Sequence, residues 1–191
     1  MRKPTFVLLS AIAALFLVFA VACAPTKTAV NEPAEVKTSY AEDRALIEDL
    51  QARYMFALDF KDVDKYLATF TEDGVLDIGT GEIKGHEAIR KIISGMPSGQ
   101  AAPEEDPKLQ SATGRHNITN IVIKVDGDKA SGVAYWFHYG NNNPKRTATF
   151  DSYGHYVDEM AKVNGKWLFT KRRIYNEQVK DWAAPAGNPS W

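Results

Sequence analysis

Four polar residues stand where the surrounding pattern has little structural use for them: Tyr54 and Asp59 on one helical stretch, His116 opening a strand, and Arg173 inside another. Asp59 ends a helix that reads Ile47, Leu50, Tyr54, Leu58. A carboxylate there faces the negative end of the helix macrodipole and needs a cationic partner. His116 fits that need, because a carboxylate that holds one ring nitrogen fixes the imidazole tautomer, as a general base requires. The plain structural alternative is a solvated Asp59 that starts the Phe60-Lys61-Asp62 turn.

The neighbouring residues sort by face. Strand alternation puts His116 with Ile118 and Val122, and puts Arg173 with Trp167 and Phe169. A guanidinium on an apolar face must be paired, so Arg173 either clamps a substrate carboxylate or bridges to Asp158. Tyr54 and Asp59 are five residues apart, about 140° around an ideal helix, so they meet one ligand only if it reaches past the end of the helix. Tyr156 and Asp158 share a strand face with Gly154, and His138 follows Trp136 on another. Tyr156, Asp158, His138 and Trp136 join Arg173 as candidate substrate contacts. His86 and His155 read as surface residues. His116, His138 and Asp59 lack the His-x-x-x-His spacing of a metal site, so neither metal nor cofactor is expected.

Three helices and a meander must position these groups. Ser39 and Glu42 form a capping box for a helix to about Asp59, and Asp62 caps a shorter helix with Val63, Tyr66, Leu67 and Phe70 inward. A hairpin follows over 75–84 and a third helix over 86–94. Residues 96–113, rich in Pro, Gly and charge, read as a long lid-like loop. Strands are expected over 116–125, 129–140, 147–163 and 166–175, the last two joined by Asn164-Gly165. Helices followed by long antiparallel strands give an α+β domain in which a curved sheet wraps the helices around a cavity.

The 191 residues are 45% hydrophobic and 25% charged, enough for one domain with a core. A net charge of -1 and scattered basic residues give no support for a nucleic-acid partner. Arg2 and Lys3 precede an apolar stretch from Phe6 to Ala22, the layout of a secretory signal. Its apolar length is at the short end of the ~17 to 25 residues of a membrane span. Cys23 is the only cysteine, so the folded part has no disulfide and no thiol nucleophile. The expected organisation is a signal over 1–22, a tether over 23–38, a domain over 39–178 and a tail over 179–191. Trp182 and Trp191 suit that tail either to a flap over the cavity mouth or to contact with a partner subunit.

These residues carry a resemblance to the NTF2-like superfamily, in particular its SnoaL-like branch with bile-acid dehydratases and scytalone dehydratase. It spans about Asp43 to Gln178 and rests on Tyr54-Met55-Phe56-Ala57-Leu58-Asp59, Asp62-Val63-Asp64, Gly114-Arg115-His116, Tyr156-Val157-Asp158, Gly165-Lys166-Trp167 and Arg173-Ile174-Tyr175. The resemblance implies a cone of three N-terminal helices on a curved, mostly antiparallel sheet, and active-site roles for Tyr54, Asp59, His116 and Arg173. Leu58 and Ile78 replace tyrosines of scytalone dehydratase. Ala20-Val21-Ala22-Cys23 resembles a bacterial lipobox, with Ala20 where Leu is usual; this implies lipidation of Cys23, a periplasmic location and membrane contact only through the lipid. The function implied is a cofactor-free dehydratase or isomerase for a hydrophobic oxygenated small molecule, in a dimer or trimer. The alternative is a non-catalytic periplasmic lipoprotein that binds an apolar ligand or a protein partner in the same cavity.

Overall fold

The computed structural model describes residues 38–96, 108, 112–182 and 187–190. The signal segment, Cys23, most of the tether, most of the 96–113 loop and Trp191 lie outside the described residues. Among those described, no helix is long and apolar enough to cross a membrane.

Helix α1 (Tyr40–Asp59) starts on the Ser39/Glu42 capping box and buries Ile47, Leu50, Tyr54 and Met55. Helix α2 (Val63–Leu67), capped by Asp62, is shorter than its pattern predicts. Phe70 already begins strand β1 (Phe70–Asp77), where it stays buried. A short β2 (Glu82–Lys84) and α3 (His86–Ser94) follow, then four long strands: β3 (Gly114–Asp126), β4 (Lys129–Gly140), β5 (Thr149–Val163) and β6 (Lys166–Asn176). Asn164 and Gly165 both adopt positive φ, as a tight two-residue hairpin between right-twisted strands requires.

The six strands form one sheet in the order β2-β1-β6-β5-β4-β3, antiparallel except for β1 against β6. The sheet is curved and unclosed, and the helices pack on one face of it, which is the α+β cone expected from sequence. Between these layers lie Tyr54, Tyr66, Phe70, Trp136, Tyr156, Trp167 and Phe169, all at most 5% exposed.

Three bulges set which side chains face inward, because one extra residue reverses the alternation beyond it. On β3 the register slips between Thr119 and Val122, with Asn120 at φ 53°. Ile121, Ile123 and Val125 therefore continue the inward face of Ile118, while Val122 is exposed, contrary to strict alternation. On β6 the extra residue is Thr170, since Phe169 pairs with Met160 and Lys171 with Glu159. Arg172, not Arg173, is thereby turned into the core. On β5 the extra residue is Asp151.

β3 is an edge strand, and α1 covers its open side. The Tyr40 hydroxyl donates to the Ile123 carbonyl at 3.1 Å, Arg44 donates to the Ile121 carbonyl at 3.2 Å, and the His116 N–H donates to the Asp59 carboxylate at 3.0 Å. Free edge groups that would template pairing with another chain are thus used internally.

Candidate active site

Asp59 meets His116 by both backbone and ring. Besides accepting the backbone N–H, its Oδ1 lies 2.6 Å from His116 Nδ1. A carboxylate only accepts, so Nδ1 carries the proton and Nε2 is left as the basic atom of the neutral ring. The Asp59 side chain is 5% exposed and that of His116 is 23% exposed, so the carboxylate is shielded while the imidazole is reachable.

His138 is the cross-strand partner of His116, with ring centroids 4.4 Å apart. It has its own carboxylate: Nδ1 lies 2.6 Å from Asp151 Oδ1. Two glycines make room for this second pair. A Cβ on Gly114 would fall 2.0 Å from His138 Nε2, and one on Gly140 would fall 2.2 Å from Asp151 Oδ2. From His116 a row of rings runs inward, through Trp136 (6.1 Å) to Tyr156 (6.0 Å) to Tyr54 (6.2 Å). Gly154 lets the Tyr175 carbonyl approach closely, and Trp136 Nε1 donates to that oxygen at 3.0 Å.

The inner end is sealed. Arg172 donates to Asp158 through Nε at 2.9 Å and Nη2 at 2.7 Å, also donates to Gln51, and all of this is buried. Its guanidinium lies 4.0 to 4.2 Å from the ring centroids of Tyr54, Tyr156 and Phe169. Burial alone works to lower the Arg172 pKa, but the adjacent Asp158 carboxylate more than offsets it and keeps the group charged. Burial raises the Tyr54 and Tyr156 phenols, Tyr156 well above its usual range, so both stay protonated as neutral hydroxyls. The Tyr54 hydroxyl accepts from Tyr66 at 2.8 Å.

Of the residues singled out from sequence, Asp59, His116, His138, Trp136, Tyr156 and Tyr54 thus form one continuous row. Asp158 lies on the same face but is committed to Arg172. Arg173 does not share the face of Trp167 and Phe169, and it does not bridge to Asp158. The Thr170 bulge turns it outward, where it stacks on Tyr175 at 4.8 Å with Nε 3.5 Å from Asp77. His155, read as a surface residue, is 5% exposed and donates from Nδ1 to Glu177 at 2.9 Å. Trp182 packs against Gly79 at the β1–β2 turn. Sequence reasoning missed Gln51, Arg172 and Asp151. Gln51 lay within the α1 pattern, but nothing marked Arg172 over Arg173, or Asp151 as a bulge.

An open groove of about 300 Å³ lies elsewhere, between the end of α1 and α2, and is lined by Arg53, Phe56, Phe60 and Lys65. None of the ring row lines it, so the site rests on the geometry around His116. Among the described residues, no group of three or more His, Cys, Asp or Glu side chains is arranged to hold a metal ion.

The profile of the SnoaL-like domain family matches residues 39–173. The chain belongs to that family. Similar solved structures include a protein of unknown function with a cystatin-like fold from Nostoc punctiforme, 29% identical, covering 73% of this chain and 95% of its own with a TM-score of 0.59. A candidate scytalone dehydratase from Novosphingobium aromaticivorans is 22% identical over 78% of this chain and 93% of its own, TM-score 0.59. ActVI-ORFA from Streptomyces coelicolor is 17% identical over 72% and 99%, TM-score 0.61. At these last two identities the likeness is one of fold. No curated protein matches the sequence.

Proposed function

We propose that this SnoaL-like protein is a cofactor-free lyase of the dehydratase type, or an isomerase, acting on a hydrophobic oxygenated small molecule such as a steroid, polyketide or aromatic alcohol. The observation that carries this reading is the Asp59–His116 pair, a shielded carboxylate holding a reachable imidazole. His116 Nε2 takes a proton from a carbon next to a carbonyl, and the C–H electrons pass into the carbonyl as an enolate. In dehydration the enolate collapses to a C=C bond as the C–O bond breaks, and the hydroxyl leaves as water by taking back the proton that His116 Nε2 removed, which restores the neutral ring. In isomerisation the proton returns to another carbon.

His138, held by Asp151 beside His116, is the second proton-carrying group. The protonated hydroxyl of Tyr156 is the donor for a ligand that reaches inward, and Trp136 supplies an apolar wall. Arg173, turned outward, has no substrate contact in this reading, and Asp158 acts through Arg172. Acid–base assistance contributes about 100- to 10,000-fold, the remainder coming from positioning and exclusion of water. The same proposal places the enzyme in the periplasm on a lipidated Cys23.

The test is turnover of hydroxy-ketones and aromatic diols by wild type and Asp59→Asn, with ring ¹⁵N NMR of His116. The expected result is conversion by wild type only, with His116 in the Nδ1–H tautomer. Equal turnover by the variant overturns the mechanism. Binding without turnover by either protein favours a carrier of apolar ligands in the same site.

A further inference from the structure

The last turns of α1 carry a second stripe that neither the core nor the proposed chemistry uses. Arg53, Phe56, Ala57 and Phe60 follow one another at the three- and four-residue steps that place side chains on one helix face. Phe56 and Phe60 are 66% and 63% exposed, more than any other large apolar side chain among the described residues. Their rings stack with centroids 6.3 Å apart and planes 25° apart. Single exposed apolar residues are ordinary, but these two wall a concavity. With Ala68 and Thr69, just after α2, they line the groove of about 300 Å³ between the end of α1 and α2. That volume is at the lower end of the ~300 to 1,000 Å³ of small-molecule pockets.

The floor of the groove has no polar group to offer. Thr69 is buried with its hydroxyl donating to the Tyr66 carbonyl at 2.6 Å, and Ala57 is buried beside it. The body of an occupant is therefore apolar. The rim is different. Arg53 gives Nε to the Asp49 carbonyl at 3.3 Å, and among the described residues neither of its Nη groups has a protein acceptor. Lys65 holds Asp62 at 2.8 Å, and Arg115 lies 4.6 Å over the Phe60 ring. Arg53 and Lys65 against Asp62 leave the lining with one net positive charge, and Arg115 adds another beside it. These cations repel an ammonium guest, so the two rings are not a cation cage. A guanidinium fork instead takes a carboxylate through two parallel N–H bonds.

We infer that this groove binds a flat aromatic carboxylate, its ring against Phe56 and Phe60 and its anionic group on Arg53. Two ring planes 25° apart offer nearly one surface, on which a flat ring lies in the offset arrangement aromatic pairs prefer. The site is separate from the ring row that begins at His116, and it does not draw on the proposed reaction. Phe60 caps α1 directly after Asp59, so an occupant steadies the turn that carries that carboxylate.

The experiment is titration of the full chain, held in a neutral detergent, with naphthoate and with its uncharged twin naphthamide. Binding is read by calorimetry and by NMR of the Ala57 and Ala68 methyls, with the Trp136 indole N–H reporting on the ring row. Naphthoate is expected to shift both methyls and leave Trp136 unmoved. Arg53→Gln and Phe56→Ser, both at exposed positions, are each expected to weaken it about tenfold or more with unchanged circular dichroism. Should Phe56→Ser misfold, Phe56→Leu replaces it, with the same loss expected because the flat face is gone. Naphthoate that leaves the two methyls unmoved, or that shifts only Trp136, overturns the inference. So does naphthamide binding as tightly as naphthoate. Adhesion to anionic vesicles through Phe56 that naphthoate fails to displace also overturns it, since the patch then meets lipid. Asp59→Asn is expected to bind naphthoate as wild type does whatever its turnover, so failure of this site and failure of the catalytic reading remain distinguishable.

Discussion

Two carboxylates, each held against a nitrogen side chain, lie at opposite ends of the inner sheet face. Asp158 and Arg172 are both 0% exposed, and Gln51 satisfies part of what remains. Asp59 is similarly shielded, but its partner His116 is 23% exposed and stands beside a second histidine. A pair with both members buried offers no reachable atom to a ligand from solvent and sets the packing of Tyr54, Tyr156 and Phe169, although Arg172 Nη1 is left without a hydrogen-bond partner. A pair with one reachable ring has a spare nitrogen. On the proposed reading, burial of both members, rather than the presence of charge, separates architecture from chemistry.

The contrast breaks most sharply under substitution. Asp59→Asn is expected to lower turnover by about 100- to 10,000-fold, with the urea midpoint almost unmoved because Asn retains an oxygen acceptor for the His116 N–H. Asp158→Ala is expected to do the reverse, costing about 3 to 5 kcal/mol in urea unfolding by leaving Arg172 buried and unpaired. Any residual folded Asp158→Ala enzyme should turn over substrate. Gly114→Ala sharpens the open end: its Cβ must displace the His138 ring, and about 1 to 3 kcal/mol of overpacking is expected. A fall in kcat should accompany that loss while His116 keeps its Nδ1–H tautomer.

The pH dependence of stability tests the buried groups further. Burial works to raise the Asp43 carboxyl, but hydrogen bonds from Lys162, Thr38 and Trp167 outweigh it, and the group sits below its usual value. Its contribution is present above the unfolded pKa of about 3.9 and is lost as pH falls through the folded value. Asp43→Asn should therefore show a shallower loss of urea midpoint on acidification. The phenols of Tyr54, Tyr66 and Tyr156 are raised by burial, so their contribution is full below about pH 10 and falls above it. Alkaline titration should unfold the protein before these tyrosines ionise in the native state. Arg173→Gln, on the outer face, is expected to stay within about 0.5 kcal/mol of wild type, whereas the same change at Arg172 should not.

The legible part of the fold was what local pattern controls. The Ser39/Glu42 box, the Asp62 cap, the Asn164-Gly165 hairpin, and the strand faces shared by Trp136 with His138 and by Tyr156 with Asp158 follow from spacing alone. The Asp59–His116 contact was legible because an acid at a helix C-terminus demands a cation. The bulges were not: Asn120, Asp151 and Thr170 each add one residue to a strand through pairing with a neighbour, and period-two reading carries no trace of it. The single slip at Thr170 exchanged Arg172 for Arg173, moving a core cation to the surface in the sequence-based expectation. Phe70 was drawn into α2 by its apolar spacing, although pairing with Phe169 places it in β1.

The Asp43 cluster also has a mechanical side. Thr38, just outside α1, accepts from Lys162 at 2.6 Å and donates to Asp43 at 2.6 Å, while Lys162 and Trp167 hold the same carboxylate from β5 and β6 at 2.7 and 2.8 Å. A pull transmitted along the chain from its N-terminal side arrives at this knot before it reaches the rest of α1. Because Asp43 lies in the first turns of α1, the knot ties the start of that helix to the β5–β6 hairpin, so a load there is shared between the helix and two strands.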